Sequence, residues 1–363
     1  MVLLSSALAS AEPTPAVAVA AWWKANFHAH AASADVHDDG SEAPSVLHAV
    51  LKARGFDVSV HSPHSTMNTG PDAARAFMAQ QKAEAAVGGL LGQELTVATG
   101  PNFRDRIYIL GKKAPGNLDH LSLVGHKTMV PSSSTVKKAC SLVHAEGGVC
   151  LVNHPGPGPM MWEEGLWEKD AASVDGLEVY NGQVMAGVGF DFEGRYLDAT
   201  AYRGLHAKLA AVTGADTHGP NTVERARSRL PKEGLGKLVR ILAGTQPPRA
   251  ELQAATWFRA ATAKEVIAAV RARHTVATWA LADALADDVS VGDVHKTGEV
   301  SMQIHFKRKL HEVTLYKEGV AQKTWNDVDS ASWTETVTTP TAYVFGARDG
   351  AGRLLTSATW YEP

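Results

Sequence analysis

Of 363 residues only two are cysteine, Cys140 and Cys150. Two thiols cannot make a thiolate zinc knuckle or a disulfide scaffold, so any metal chemistry in this chain must rest on imidazole and carboxylate. Charge is also sparse. Asp, Glu, Lys and Arg make up 20% of the chain and nearly cancel, leaving a formal net charge of −3 and a pI near 6.6. Duplex nucleic acid is therefore not an expected partner, because binding it leaves a basic footprint. Long apolar runs are missing too: none reaches the roughly 18 residues that a membrane span needs. Disorder is excluded for most of the chain by its 45% of hydrophobic residues, enough to bury a sizeable core. The length exceeds what one compact domain usually needs, which predicts one large domain with an appendage, or two domains.

Histidine is the residue in excess: there are 16, of which 12 fall in the first 218 positions. It is the commonest transition-metal ligand and the side chain that titrates near neutrality.

Residues 1–21 read as a leader. Ala9-Ser10-Ala11 before Glu12-Pro13 has the small-x-small form of an export cleavage site, although the basic segment expected ahead of it is absent and the first Lys or Arg is Lys24. The expectation is an exported, periplasmic protein, with a cytoplasmic one as the alternative. In an exported chain Cys140 and Cys150 are able to pair; otherwise they read as two buried thiols on neighbouring elements.

Between Trp22 and about His218, short apolar runs alternate with helical patterns. Strands are expected over 24–30, 57–61, 88–97, 106–111, 149–153, 176–180 and 211–215. Helices are expected over 44–54, 72–84, 132–146 and about 196–210. This β-then-α order predicts parallel strands with helices outside, a distorted (βα)7-type TIM-like barrel over residues 22–280. A capping-box pattern, Thr262-Ala-Lys-Glu265, opens a further helix. Beyond Trp279 the segments shorten and alternate at 300–306, 312–316, 332–337 and 342–347, with turn signals at Lys317-Glu318-Gly319 and Asp349-Gly350. A small antiparallel β-sandwich over 281–363 is expected.

In a βα barrel the reactive groups sit at the C-terminal ends of strands. The first strand ends in Asn26-Phe27-His28-Ala29-His30, and an H-x-H pair puts both imidazoles on one face, as two ligands of one ion require. Asp38-Asp39-Gly40 lies in the following loop. Later strands end at Ser62-Pro63-His64, Gly92-Gln93-Glu94, Asn153-His154-Pro155 and Ala215-Asp216-Thr217-His218. Each has a bland reading when taken alone. The ordered set of five does not.

These motifs resemble the polymerase and histidinol phosphatase (PHP) superfamily of metal-dependent hydrolases, whose pattern runs H-x-H, S-D-G, D-H, G-x-E, H-P and D-x-H. Its exported or carbamate-hydrolase-like branch is the nearest likeness, since there the first motif often starts with Asn and the chain ends in a β-sandwich. The resemblance implies two or three divalent ions (Zn, Mn or Fe). His28, His30, Glu94 and Asp216 would bind the first, Glu94 would bridge to a second with His154, and Asp39, His64 and His218 would hold a third. Two departures stand out. Pro63 replaces the Asp before the strand-two histidine, and the histidine that commonly follows G-x-E is missing from Arg104-Asp105-Arg106-Ile107-Tyr108. The second ion is then weak, absent, or completed by a loop residue such as His126.

A hydroxide held by such ions is a nucleophile near neutral pH, since the metal lowers the pKa of water from about 15.7 towards 7. Hydrolysis without a covalent intermediate follows, with Asp216 or His218 shuttling the proton. The leading expectation is a phosphoesterase for a small phosphomonoester or phosphodiester; a carbamate, ester or amide hydrolase on the same centre is the alternative, and a sugar- or surface-binding module a more distant one. Arg104 and Arg106 are candidate phosphoryl contacts, although surface arginines on a loop are as plain a reading. Tyr180 and Asn181 are further substrate-contact candidates. His37, His48, His61, His120, His144 and His206 have no motif behind them and read as ordinary.

Overall fold

The computed structural model describes residues 20–32, 40–64, 71–96, 108–109, 112–113, 120–131, 134–155, 168–188, 192–201, 208–224, 247–281, 283–286 and 291–363. Asp39, Arg104, Arg106, His37, His206 and nearly all of the leader lie outside these residues.

Among the described residues fifteen strands hydrogen-bond into one sheet. In chain order they are β1 (Ala21–Asn26), β2 (Val58–His61), β3 (Leu90–Thr96), β4 (His120–Val124), β5 (Val149–Val152), β6 (Gly176–Asn181) and β7 (Ala210–Gly214). There follow β8 (Ala254–Ala260), β9 (Thr275–Trp279), β10 (Val294–Lys296), β11 (Gly298–Lys317), β12 (Val320–Val337), β13 (Thr341–Asp349), β14 (Gly352–Thr356) and β15 (Thr359–Glu362). The path through the sheet is β10-β15-β13-β14-β9-β8-β1-β2-β3-β4-β5-β6-β7, with β11 and β12 joined at β13.

The helices are α1 (Pro44–Ala53), α2 (Pro71–Ala86), α3 (Val136–Ala145), α4 (Gly182–Val188), α5 (Glu193–Ala201) and α6 (Val266–Arg271). Their sequences say why. Pro44 opens α1 at a position whose N–H has no helical partner, Leu47 and Leu51 form its buried face, and Gly55 at φ 76° ends it. Thr135 caps α3, its side chain accepting from the backbone N–H of Lys138. Among the described residues no helix is long and apolar enough to cross a membrane.

β1, β2 and β3 run parallel, as do β5, β6 and β7. The expected uninterrupted parallel order fails at β4, which is antiparallel to both β3 and β5, and residues 108–109 of the strand expected over 106–111 pair instead with 112–113, outside the large sheet. β1 also pairs antiparallel with β8 on its other side. The strand ladder ends at β7, and beyond it an isolated parallel bridge joins Ala29 to Thr217.

Leu121, Leu123, Val143, Cys150, Leu177 and Tyr196 belong to the largest apolar cluster, packed among β4, β5, β6, α3 and α5. Cys140 and Cys150 lie in it as free, buried thiols, so the pairing open to an exported chain is not made. Burial, with a hydrogen bond to Cys140, pushes the Cys150 thiol well up.

The C-terminal strands do not stand apart from the rest. β14 pairs antiparallel with β9, and the apolar cluster around Leu310, Val313 and Phe345 takes in Trp22, Trp257 and Val276 from the first part of the chain. The segments expected at 300–306 and 312–316 are one strand, β11, with a register shift between His305 and Leu310. Three consecutive exposed basic residues, Lys307, Arg308 and Lys309, interrupt its alternation without ending it. Both turn signals hold: Glu318 and Gly319 take φ 52° and 75° between β11 and β12, and Gly350 takes φ 57° after β13.

Candidate metal centre

The H-x-H and D-x-H segments lie side by side just past β1 and β7. Asp216 donates its backbone N–H to the carbonyl of His28 (2.7 Å) and His30 donates to that of Thr217 (2.8 Å). In this extended pairing alternate residues face one way. His28 Nε2 and His30 Nε2 come 3.2 Å apart, and Asp216 Oδ1 stands 3.5 and 3.3 Å from them. His218 Nε2 lies 3.1 Å from the same oxygen, its ring stacked on that of His30 at 4.1 Å between centroids.

Glu94, on β3, is the hub. Its Oε1 is 2.8 Å from His120 Nδ1, 3.1 Å from His28 Nε2 and 3.4 Å from His154 Nε2, and it accepts from Asn153 Nδ2 at 2.9 Å. Its Oε2 is 3.0 Å from His64 Nδ1 and 3.2 Å from His30 Nε2. Five imidazoles thus converge on one carboxylate that is 1% exposed. The side chain of His64, at 17%, is the most open of the group.

Two residues of the centre have left-handed backbones, His154 at φ 32° and Asp216 at φ 50°. Such a conformation costs a non-glycine residue about 1–3 kcal/mol and persists only where its surroundings hold it. The holding contacts are visible: the N–H of Asp216 is fixed by His28, and that of His154 donates to Glu178 Oε2 at 2.7 Å.

Charge is balanced inside the cluster. Burial opposes a charged His28 ring, but Glu94, Asp216 and Glu178 outweigh it and hold the pKa well above the usual value. Burial likewise opposes ionisation of Glu94 and Asp216, and the surrounding histidines more than reverse that, keeping both carboxylates well below their usual range. For His120 burial wins and pushes the pKa down to about 4.

His28, His30, His64, Glu94, His154, Asp216 and His218 are brought together, and Asp39 is outside the described residues. His120, ordinary by its sequence context, stands in the same cluster. In an antiparallel strand the first residue, not the last, lies at the end where parallel neighbours finish, so a search of strand ends passes over it. Ser122 faces Glu94 across the β3–β4 ladder and His120 is the diagonal neighbour on the same face. The run His120-Leu121-Ser122-Leu123-Val124 before Gly125 was the available signal. His126, the suggested substitute, is turned elsewhere: its Nε2 meets Gln93 Oε1 at 3.2 Å, on the opposite face of β3 from Glu94, and its ring packs on Phe77.

Tyr180 and Asn181, the expected substrate contacts, are fully buried. The Tyr180 hydroxyl donates to Glu193, while Asn181 Nδ2 serves Glu178 Oε2 (3.0 Å) and Asp216 Oδ2 (3.1 Å). Glu178 belongs to no motif of the sequence. A single acid inside Gly-Leu-Glu-Val-Tyr-Asn, a strand buried on both faces, was its signal. Three other histidines have local partners: His61 with Glu84 (2.5 Å), His48 with Ser59 (2.9 Å) and His144 with Asp175 (2.7 Å).

The donor set fits divalent ions. A tetrahedral ion with bonds of roughly 2.0–2.1 Å spaces its ligand atoms about 3.3 Å apart. The separations among His28, His30 and Asp216, 3.2 to 3.5 Å, match that edge. Among the described residues four triads have ligand atoms within 4.8 Å of one another: His28, His30 and Asp216; His28, Glu94 and His154; His64, Glu94 and His120; and His30, His64 and His218.

Solved structures similar to this chain include two from bacteria. One is a two-domain protein from Bacteroides vulgatus containing a predicted PHP-like metal-dependent phosphoesterase, 16% identical over 94% of this chain and 95% of that one, with a TM-score of 0.45. The other, from Bifidobacterium adolescentis, is named as a candidate metal-dependent phosphoesterase and is 13% identical over 62% of this chain and 96% of that one, with a TM-score of 0.34. No protein-family model matches the chain, and no curated protein does.

Proposed function

We propose that this chain is a metal-dependent hydrolase of the PHP kind that cleaves small phosphomonoesters or phosphodiesters. The observation that carries the reading is the facing of two ring nitrogens, His28 Nε2 and His30 Nε2, at 3.2 Å with Asp216 Oδ1 equidistant within 0.2 Å of both. Two ring nitrogens and a buried carboxylate oxygen meeting at these separations offer one divalent ion three ligand atoms at the spacing it needs.

In this reading His28, His30, Glu94 and Asp216 hold one ion, Glu94 with His120 and His154 a second, and His64 and His218, joined by Asp39, a third. His120 then fills the place that the resemblance left vacant. Ions held there would supply Lewis acidity to a phosphoryl oxygen and a more acidic water at neutral pH.

The chain's own residues do the rest. Glu94 and Asp216, kept ionised by the histidines around them, fix the imidazoles in one geometry. His218 gives its Nε2–H to Asp216 Oδ1, so its other nitrogen, Nδ1, serves either the third ion or proton carriage from the attacking water to the leaving oxygen as one P–O bond forms and the other breaks, not both. Asp216 holds that ring and accepts the charge. Arg104 and Arg106, after β3, remain candidate phosphoryl contacts. The barrel reading is supported by the Ala29–Thr217 bridge, and export by Ala9-Ser10-Ala11.

The test is hydrolysis of p-nitrophenyl phosphate, bis-p-nitrophenyl phosphate, p-nitrophenyl acetate and an aryl carbamate by the metal-loaded chain, with His28→Ala as control. Phosphate ester turnover lost in His28→Ala is expected. Turnover of the acetate or carbamate alone would replace the phosphoesterase reading with that of a carbamate, ester or amide hydrolase.

A further inference from the structure

We infer that Glu178 is a positioning residue that sets the tautomer of His28 and ties three ligand-bearing segments to one carboxylate, an inference that rests on the metal reading above. Glu178 is 2% exposed. Its Oε1 lies 3.2 Å from His28 Nδ1, and its Oε2 accepts from the backbone N–H of His154 (2.7 Å) and from Asn181 Nδ2 (3.0 Å). An ionised carboxylate can only accept, so the ring nitrogen facing it must carry the proton. That leaves the lone pair of His28 on Nε2, the atom that faces Glu94, His30 and Asp216. A carboxylate behind a ligating histidine fixes ring orientation and raises ligand basicity.

The same group acts on two further segments. It holds the left-handed backbone of His154, and it binds Asn181, whose amide also donates to Asp216 Oδ2. The contact behind it is tight. At Gly214 on β7 a Cβ would stand 2.1 Å from His28 Cβ and 2.6 Å from Glu178 Oε1, so only glycine lets the His28–Glu178 pair lie against that strand.

Glu178→Gln separates tautomer control from shape. The amide has one oxygen for two faces. Two donors, His154 N–H and Asn181 Nδ2, draw the oxygen to their side, which turns the amide NH2 towards His28 Nδ1 and drives the ring proton to Nε2, where a metal must bind. The assay is zinc affinity of the metal-stripped full chain by competition with a chromogenic chelator, alongside thermal melting. Glu178→Gln is expected to bind about 10–100-fold more weakly, and Glu178→Asp, still acceptor-only, to recover part of the loss. In the zinc form of the unmodified chain, 15N spectra should show His28 protonated on Nδ1. Coordination through Nδ1, or a Glu178→Gln protein with unchanged affinity, overturns the inference. A wild-type chain that takes up none of zinc, manganese and iron(II) overturns the metal reading itself, so the two failures are distinguishable.

Discussion

Gly214→Ala is the substitution most informative about how tightly the centre is built. The added carbon would lie 2.1 Å from His28 Cβ and 3.2 Å from His28 Cα, atoms that cannot rotate away because they belong to the backbone or hang directly from it. Carbon atoms pack best about 3.5–4.0 Å apart, so the strand end carrying His28 must move off β7 by about 1.4 Å or more. Metal ligation tolerates departures of about 0.2 Å in bond length. His28 and Asp216 belong to the two segments being forced apart, so they can no longer share one ion. Overpacking of this kind costs about 1–3 kcal/mol of stability, and loss of a shared ligand should weaken zinc binding by well over the tenfold given by about 1.4 kcal/mol. Chemical denaturation of the stripped protein reads the first quantity and chelator competition the second. A Gly214→Ala protein with unchanged stability and unchanged zinc affinity would refute the geometry from which both were worked.

Several other perturbations separate residues that the sequence alone confuses. His120→Ala should lower the number of ions bound per chain while leaving the His28 and His30 site filled, and His126→Ala should leave metal content unchanged; elemental analysis of both decides between them. The pKa of His28 is held above its usual value, so below that pKa the metal-free ring carries a proton that an incoming ion must displace. Calorimetry at pH 7 in buffers of different ionisation heat should therefore show about one proton released for the ion that binds at His28, with apparent affinity falling as pH falls; no proton release would contradict it. Ser357 Oγ accepts the buried N–H of Ala211 at 2.9 Å and meets Thr275 Oγ1 at 2.7 Å. Ser357→Ala should then cost about 1–3 kcal/mol for the unsatisfied amide on β7, measured by denaturant unfolding.

Much of the architecture was legible because buried parallel strands read as short apolar runs with helices between them. β2, β5, β6 and β7 lie within a residue or two of where their sequences put them. β1 is the instructive exception, since the strand ladder ends at Asn26 and the histidines follow it in an extended segment paired with residues 216–217. β4 was illegible for a topological reason: it is five residues long, follows a long connection from β3 and runs against its neighbours. β8 was hidden by composition, since Ala254-Ala255-Thr256 and Arg259-Ala260 leave only Trp257 and Phe258 as a large apolar pair. The candidate ligand residues are visible at strand ends through their spacing. What spacing could not show is support from behind, because Glu178 and Asn181 act through contacts set by three-dimensional packing.

The most direct test of the central claim is the metal content of the purified full chain, measured by elemental analysis after reconstitution with zinc or manganese and removal of unbound ion. At least two ions per chain are predicted, falling in His28→Ala and again in Glu94→Gln, with phosphoesterase activity that disappears on chelation and returns on metal addition. A chain that retains no ion, or one whose activity survives both substitutions, would contradict the account.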